Sequence, residues 1–324
     1  MLNLFKREKK WMCFLGVVFS FLLFLSTNSY GQKEYPEKEI KITVGTAGSV
    51  SDLWTRAWTD EFSKILKVPV VVVNKTGGLT GQLEAKKSRP DGYTLAYVSQ
   101  SNVVTQAVSE KPPVDLIKDL APIGALGSFP TLIVVEQSSP FQKFEDLIDY
   151  ARKNPGKLKC GSAGILISYF NFELLKRYTK TDMTVVQFKG SAPASTALLG
   201  KHVDLLTISP SAIVGLMKAG RIRALLSTQK LKDFQGIPLF SDKGLEEAGM
   251  AAWSGLFAPV GVPKDIQNIL IDAFAKTAKN PEILKRMENL DYSTDYTGPT
   301  QLGAQLKKDF DKMIPIVNEL GLKQ

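Results

Sequence analysis

An α/β protein with two sheets and a cleft between them is the fold class that the sequence predicts. Three observations lead there. Short runs rich in Val, Ile and Leu alternate with stretches of helical periodicity from Ile40 to Ser227. Turn signals such as Pro90-Asp91-Gly92 and Asn154-Pro155-Gly156 separate them. No linker rich in Gly, Ser or Pro divides the chain, so two domains would be joined by ordinary strands that cross between them. Strands alternating with helices argue for parallel sheets with right-handed crossovers.

Taken in order, Ile40–Val44 reads as a strand. A helix is expected from about Ser51 to Leu66, with Trp54, Trp58, Phe62 and Ile65 on one face, where core packing explains them better than a ligand cage. Val70–Val73 has a short buried-strand pattern. The segment NKTGGLTGQ (74–82) reads as a turn or a loop near the cleft, because its glycines lack dinucleotide-binding spacing. Strands are expected at 93–98 and 131–135, and a helix at 144–153 stopped by Asn154-Pro155-Gly156. Then follow strand 157–160, helix 168–178, strand 185–188, helix 193–199, strand 204–208, helix 211–219 and strand 223–227. Ile266, Ile269, Leu270, Ala273, Phe274 and Thr277 mark an amphipathic helix ending before Asn280-Pro281. Thr300 is placed to cap a last helix carrying Leu302, Leu306, Phe310, Met313 and Val317 on one face, with a kink at Pro315.

The N-terminus differs in kind. Lys6, Arg7, Lys9 and Lys10 precede an apolar run from Trp11 to Leu25, too short to span a bilayer comfortably. Ser29 and Gly31 are small residues placed for a cut before Gln32, so residues 1–31 read as a secretory signal and the remaining chain as a periplasmic protein. The whole chain carries a net charge of +9; the signal accounts for +3, leaving +6. No Lys/Arg run survives in that remainder, which speaks against nucleic acid as a partner. A mildly positive surface favours anionic solutes.

Cysteine and histidine are scarce. Cys13 falls in the signal, leaving Cys160 without an intramolecular disulfide partner, and His202 is the single histidine. Metal binding through His and Cys clusters is excluded by count, and no cofactor is expected. There is no G-x-S-x-G elbow, no P-loop and no G-x-G-x-x-G after a strand. A secreted hydrolase using Cys160 and His202 is the weakest of the readings considered, and the chain is expected not to be an enzyme.

Glycine-rich strand-to-helix turns are the candidate sites. In VGTAGSVSD (44–52), loop and helix-start N–H groups can grip an anion without a cationic side chain. Thr46, Ala47, Gly48, Ser49 and Ser51 would form this wall. Asp52 would orient the helix start or bond a cationic or hydroxyl part of the ligand. CGSAGILIS (160–168) repeats the arrangement with Ser162, Ala163, Gly164 and Ser168. Ser99, Gln100 and Ser101 follow a strand and are expected to line the cleft. Lys189 and Gly190 in FKGSAP, and Ser209 after the 204–208 strand, complete the set.

With these stretches in order, the chain resembles the extracytoplasmic receptors of tripartite tricarboxylate transporters, the Bug receptors. The resemblance rests on YPEKEIKITV, VVVVNKTGG, PDGYTLAYVS, FEDLIDYARKNPGKLKCGSAG, VVQFKGSAPASTALLGKHVDLL, KAGRIRALLST and WSGLFAPVGVP, and covers nearly everything after Tyr35. It implies a periplasmic-binding-protein (Venus-flytrap) fold, with 32–133 plus 229–324 as one domain and 134–228 as the other. It also implies a small organic anion as ligand, commonly a carboxylate, delivered by a monomeric receptor to a membrane permease or, alternatively, to a sensor. The chain departs from the family pattern at the site. The first loop is shorter in Pro and Gly, and the 74–78 loop is about two residues short. Phe188 stands for a Tyr, and Ile208, beside Ser209, for an Asp. Ile165-Leu166-Ile167 replaces a polar stretch. Those apolar residues imply either a longer-chain or aromatic ligand or simple inward packing, and the sequence leaves both open.

Overall fold

The computed structural model describes residues 35–290 and 292–324, so the expected signal segment lies outside the described residues. Lys38–Gln324 form one compact unit. Its elements in chain order are β1 (Ile40–Val44), α1 (Val50–Arg56), α2 (Thr59–Leu66), β2 (Val70–Asn74), α3 (Thr80–Lys87), β3 (Thr94–Ser99), α4 (Gln100–Val108) and β4 (Leu120–Phe129). There follow β5 (Leu132–Glu136), α5 (Phe144–Lys153), β6 (Lys159–Ser162), α6 (Ile167–Thr179), β7 (Thr184–Gln187), α7 (Ser191–Leu199), β8 (Leu205–Ile208), α8 (Val214–Lys218) and β9 (Ile222–Ser227). The chain ends with β10 (Ala252–Pro259), α9 (Lys264–Thr277), α10 (Pro281–Asn289), β11 (Tyr296–Thr297) and α11 (Pro299–Glu319).

Two sheets result. The first has the order β11-β4-β10-β3-β1-β2 and the second β7-β6-β8-β5-β9. Both are mixed, where the sequence predicts parallel ones. β1, β2 and β3 run parallel, but β4, β10 and β11 pair antiparallel. In the second sheet β6, β7 and β8 run parallel, while β5 pairs antiparallel with β8 and β9. The reversals follow from the crossovers: β10 re-enters the first sheet after the chain has passed through the second. The two crossing segments hold each other, Thr131 N–H donating to Thr228 Oγ1 (2.9 Å) and Thr228 N–H to Thr131 O (3.0 Å).

Several local expectations are corrected. The single helix over 51–66 breaks at Ala57-Trp58, which lets Trp54 and Trp58 meet edge-to-face at 5.2 Å with both fully buried. The Trp54 indole N–H donates to Leu126 O at 2.8 Å, and Phe62 and Phe274 complete an aromatic core under the first sheet. Leu66, not Ile65, continues that core. β2 is an edge strand with Val71 exposed, rather than a buried one. NKTGGLTGQ is a loop followed by α3, and α4, β4, β10 and α10 were not legible in the sequence pattern. Helices expected from 168, 193 and 211 start at Ile167 and Ser191, or split into a 3-10 turn (Pro210–Ala212) and α8. Gly298, not Thr300, is the cap residue of α11, with Pro299 at its first position, and the helix continues through Pro315. Leu302, Leu306, Phe310, Met313 and Val317 are buried, as their spacing predicts.

Candidate functional site

All the predicted site residues lie at the carboxyl ends of parallel strands. β1, β2 and β3 deliver residues 45–52, 75–78 and 99–101 to one edge of the first sheet. β6, β7 and β8 deliver 162–168, 188–190 and 209 to one edge of the second. Ligands of open α/β sheets bind outside such edges.

A cavity of about 350 Å³ opens at the first edge. It is lined by Gly45, Ser49 and Ser51, by Ser99, Gln100 and Ser101, and by Lys75, Tyr97, Phe129, Trp253, Ser254 and Tyr292. Thr46, Ala47, Gly48 and Asp52 stand outside this lining, as do Ser162, Ala163, Gly164, Ser168, Lys189, Gly190 and Ser209. The cavity is therefore built at the edge of the first sheet, with the turns at the edge of the second contributing none of its walls.

Its first wall is the β1–α1 turn. Asp52 is buried and takes three donors: Gly48 N–H at 2.9 Å, Asn74 Nδ2 at 2.8 Å and Arg56 Nε at 2.9 Å. Burial pushes its carboxyl up, but these donors outweigh burial and hold it below the ordinary carboxylate range. Asp52 thus ties the turn to β2. The Ser49 and Ser51 hydroxyls bond each other at 2.8 Å, and the Val50 and Ser51 amides find no acceptor among the described residues. Lys75 Nζ sits 2.7 Å from Glu84, which balances part of its charge.

The rear wall is aromatic and polar. A hydroxyl chain runs from Tyr97 to Ser254 (2.9 Å) to Tyr292 (3.1 Å), and burial raises both phenols above their ordinary value. The Trp253 indole N–H donates to Asp309 Oδ2 at 2.7 Å, so Trp253 offers the cavity its ring. Gln305 Nε2 bonds the other Asp309 oxygen at 2.7 Å. Burial pushes the Asp309 carboxyl up to about 6, against the lowering pull of these bonds. Gln100 is almost fully buried, its amide nitrogen 3.8 Å from Met250 Sδ and its carbonyl oxygen unpartnered in the fold.

The turn after β6, at the edge of the second sheet, is arranged differently. The Ser162 hydroxyl is buried and donates to Gly164 O at 2.9 Å. Gly164 has φ +106°, a conformation that a side chain at this turn would strain. Ile165 and Ile167 are half-buried and pack on the core, whereas Leu166 is 45% exposed. The Ile165, Ile167 and Ser168 amides find no acceptor among the described residues. The Ser209 hydroxyl bonds Ser211 Oγ at 2.8 Å, and Lys189 is exposed beside Gly190, which precedes α7.

Neither hydrolase residue is poised for chemistry. Cys160 is fully buried in β6 and burial pushes its thiol up to about 12, while His202 lies exposed on a turn. Among the described residues no group of His, Cys, Asp and Glu could hold a metal ion. No helix among them is long and apolar enough to cross a membrane.

The profile of the tripartite tricarboxylate transporter family receptor matches residues 55–322. The chain belongs to this receptor family. A protein of the gbd 5' region of Cupriavidus necator is 31% identical to the receptor over 296 residues, 89% of each chain. A TctC solute-binding protein from Polaromonas, solved without ligand, has the same fold, with a TM-score of 0.80 at 23% identity over 88% of this chain and 99% of that one. MatC from Rhodopseudomonas palustris, solved with bound malate, gives a TM-score of 0.64 at 25% identity over 87% and 100%. Receptors of this kind bind solutes and are not enzymes.

Sequence reasoning missed Lys75, Tyr97, Phe129, Trp253, Ser254 and Tyr292 as cavity residues. Lys75 follows a strand end, as Ser99 does, and that position was the available signal. The other five lie in strands or in the run before β11, and only pairing across the sheet brings them together.

Proposed function

We propose that this receptor captures a small organic anion, a carboxylate, in the periplasm and hands it to a membrane permease of the tripartite tricarboxylate type. The observation that carries this reading is the cavity at the ends of β1 and β3. Serine hydroxyls, unpaired turn amides and a lysine converge there in a chain whose family consists of such receptors. MatC, which holds malate, points to the same ligand class.

In this reading the lobes comprise residues 32–133 plus 229–324 and residues 134–228, and a signal over residues 1–31 exports the chain. Thr46 to Ser51 and Ser99 to Ser101 form the first wall, with Asp52 holding it. Ser162 to Gly164, Ser168, Lys189, Gly190 and Ser209 meet the ligand when the lobes close about the paired crossovers at Thr131 and Thr228. Binding favours the closed form through contacts that only it makes. Isothermal titration of the purified receptor against a panel of mono- and dicarboxylates is the test. Saturable binding of at least one member, weakened at least about tenfold by Ser49→Ala combined with Ser51→Ala, is expected. Absence of binding across the panel refutes the proposal.

A further inference from the structure

Resting on the reading above, we infer that Lys75 reads a second carboxylate on the ligand, and that Glu84 stands in for that carboxylate until it binds. The charge of the cavity lining and the place of Lys75 in the first sheet lead here.

Lys75 is the one charged side chain among the residues that line the cavity. Asp52 and Arg56, on the neighbouring turn, are closed on each other at 2.9 Å, and neither lines the cavity. The other polar side chains of the lining are neutral, and most bond within the fold. Gln82 Nε2 donates to Tyr97 O at 2.5 Å, Asn102 Oδ1 accepts from the Ser99 N–H at 2.9 Å, and the hydroxyls of Tyr97, Ser254 and Tyr292 bond one another. Gln100 keeps an unpartnered carbonyl oxygen, an acceptor that disfavours a carboxylate beside it. These groups suit neutral polar parts of a ligand. One carboxylate is matched by the Ser49 and Ser51 hydroxyls and the free Val50 and Ser51 amides. A second carboxylate taken from water needs a positive charge, and Lys75 alone supplies one.

Strand order places that charge. β2, β1 and β3 lie side by side, so Lys75, the 45–51 turn and Ser99 follow one another at steps of about 4.8 Å. The Lys75 N–H donates to Val44 O at 2.8 Å, which carries the ladder one residue past β2 and keeps the lysine beside the turn. Lys75 Nζ lies 2.7 Å from Glu84 Oε2, and the two side chains are 33% and 40% exposed. Glu84 belongs to α3 and stands outside the lining, so Lys75 spans the cavity wall and the helix. An ion pair this exposed is held weakly, and exchanging one carboxylate for another leaves the lysine paired throughout. A charged end of the ligand can displace Glu84; a neutral end cannot.

The test is calorimetric binding of two acid pairs, succinate with butyrate and adipate with hexanoate, at constant salt. The proteins are the native receptor, Lys75→Gln, Lys75→Arg, Glu84→Gln, Lys75→Gln with Glu84→Gln, and Lys86→Gln. Thermal melts establish that each variant folds. The expected result is that the diacids bind more tightly than the matching monoacids. Lys75→Gln weakens the diacids at least about tenfold and the monoacids under about threefold, and Lys75→Arg keeps the diacids within about threefold of native. Glu84→Gln strengthens the diacids about threefold, but under about 1.5-fold once Lys75 is replaced by Gln. Lys86→Gln removes the same charge from a lysine that pairs with Asp119 outside the lining, and changes neither class. Equal weakening of both classes by Lys75→Gln overturns the inference, because Lys75 would then serve the carboxylate they share. Equal effects of Glu84→Gln with and without Lys75 overturn it too, because Glu84 would then only repel anions. A matching loss in Lys86→Gln, or tighter binding of the monoacids, does the same, and all four outcomes leave the carboxylate reading standing. If neither diacid binds, the inference falls; if no acid of the wider panel binds, the carboxylate reading falls with it.

Discussion

Replacing Asp52 by Asn changes one atom and tests the idea that this carboxylate, rather than a ligand, holds the first turn. In the native fold Oδ1 accepts from Asn74 Nδ2 at 2.8 Å and Arg56 Nε at 2.9 Å, and Oδ2 accepts from Gly48 N–H at 2.9 Å. An amide oriented to keep the Asn74 bond points its own NH2 at the Gly48 N–H. That leaves one donor facing another, a loss of about 1–3 kcal/mol for a group taken from water. The bond to Arg56 also loses its charge. Because the Arg56 side chain is 51% exposed, solvent screening limits that part to well under about 1 kcal/mol. The total is about 1–3.5 kcal/mol. Guanidinium unfolding of the two proteins at pH 7 measures it. The pH dependence has a definite sign: the folded carboxyl titrates below its ordinary value, so its contribution is complete above about pH 4 and is lost as pH falls through the depressed folded value. The gap between native and Asp52→Asn should therefore narrow below pH 4. A difference under about 0.5 kcal/mol at pH 7, or a gap that widens in acid, would refute the account.

The other expectations concern separate parts of the molecule. Asp309 titrates at about 6 in the folded chain, above its unfolded value of roughly 4, so its protonated form stabilises the fold below pH 4 and that contribution drains away as pH rises through 6. The native chain should accordingly lose on the order of 2 kcal/mol between pH 4 and 7 relative to Asp309→Asn, read from unfolding curves at each pH; parallel curves would exclude it. Phe274→Ala removes a fully buried ring that meets Trp58 at 4.9 Å and Phe62 at 6.1 Å, and should cost about 3–5 kcal/mol by denaturant unfolding. The buried Cys160 thiol, pushed up to about 12, should resist a thiol reagent at pH 8 until the chain is unfolded, and His202→Ala should leave ligand affinity unchanged.

Much of the architecture is written locally. The alternation of strands and helices, the buried faces of α9 and α11 and the turns at the ends of β1 and β6 follow from residues within a few positions of one another, because periodicity and glycine conformations are short-range properties. The sequence by itself thus determined that this is an α/β protein with glycine-rich turns at its strand ends. Tertiary structure decided the cavity. Val44 and Tyr292 share its wall although 248 positions separate them, and only the antiparallel return of β10 beside β3 sets Trp253 and Ser254 next to Ser99. It also decided which of Ile165, Leu166 and Ile167 faces solvent, and that Asp52 turns inward to Asn74 and Arg56 instead of outward to a ligand. Strand order and side-chain partners depend on burial summed over the whole fold, and no short window of residues contains that sum.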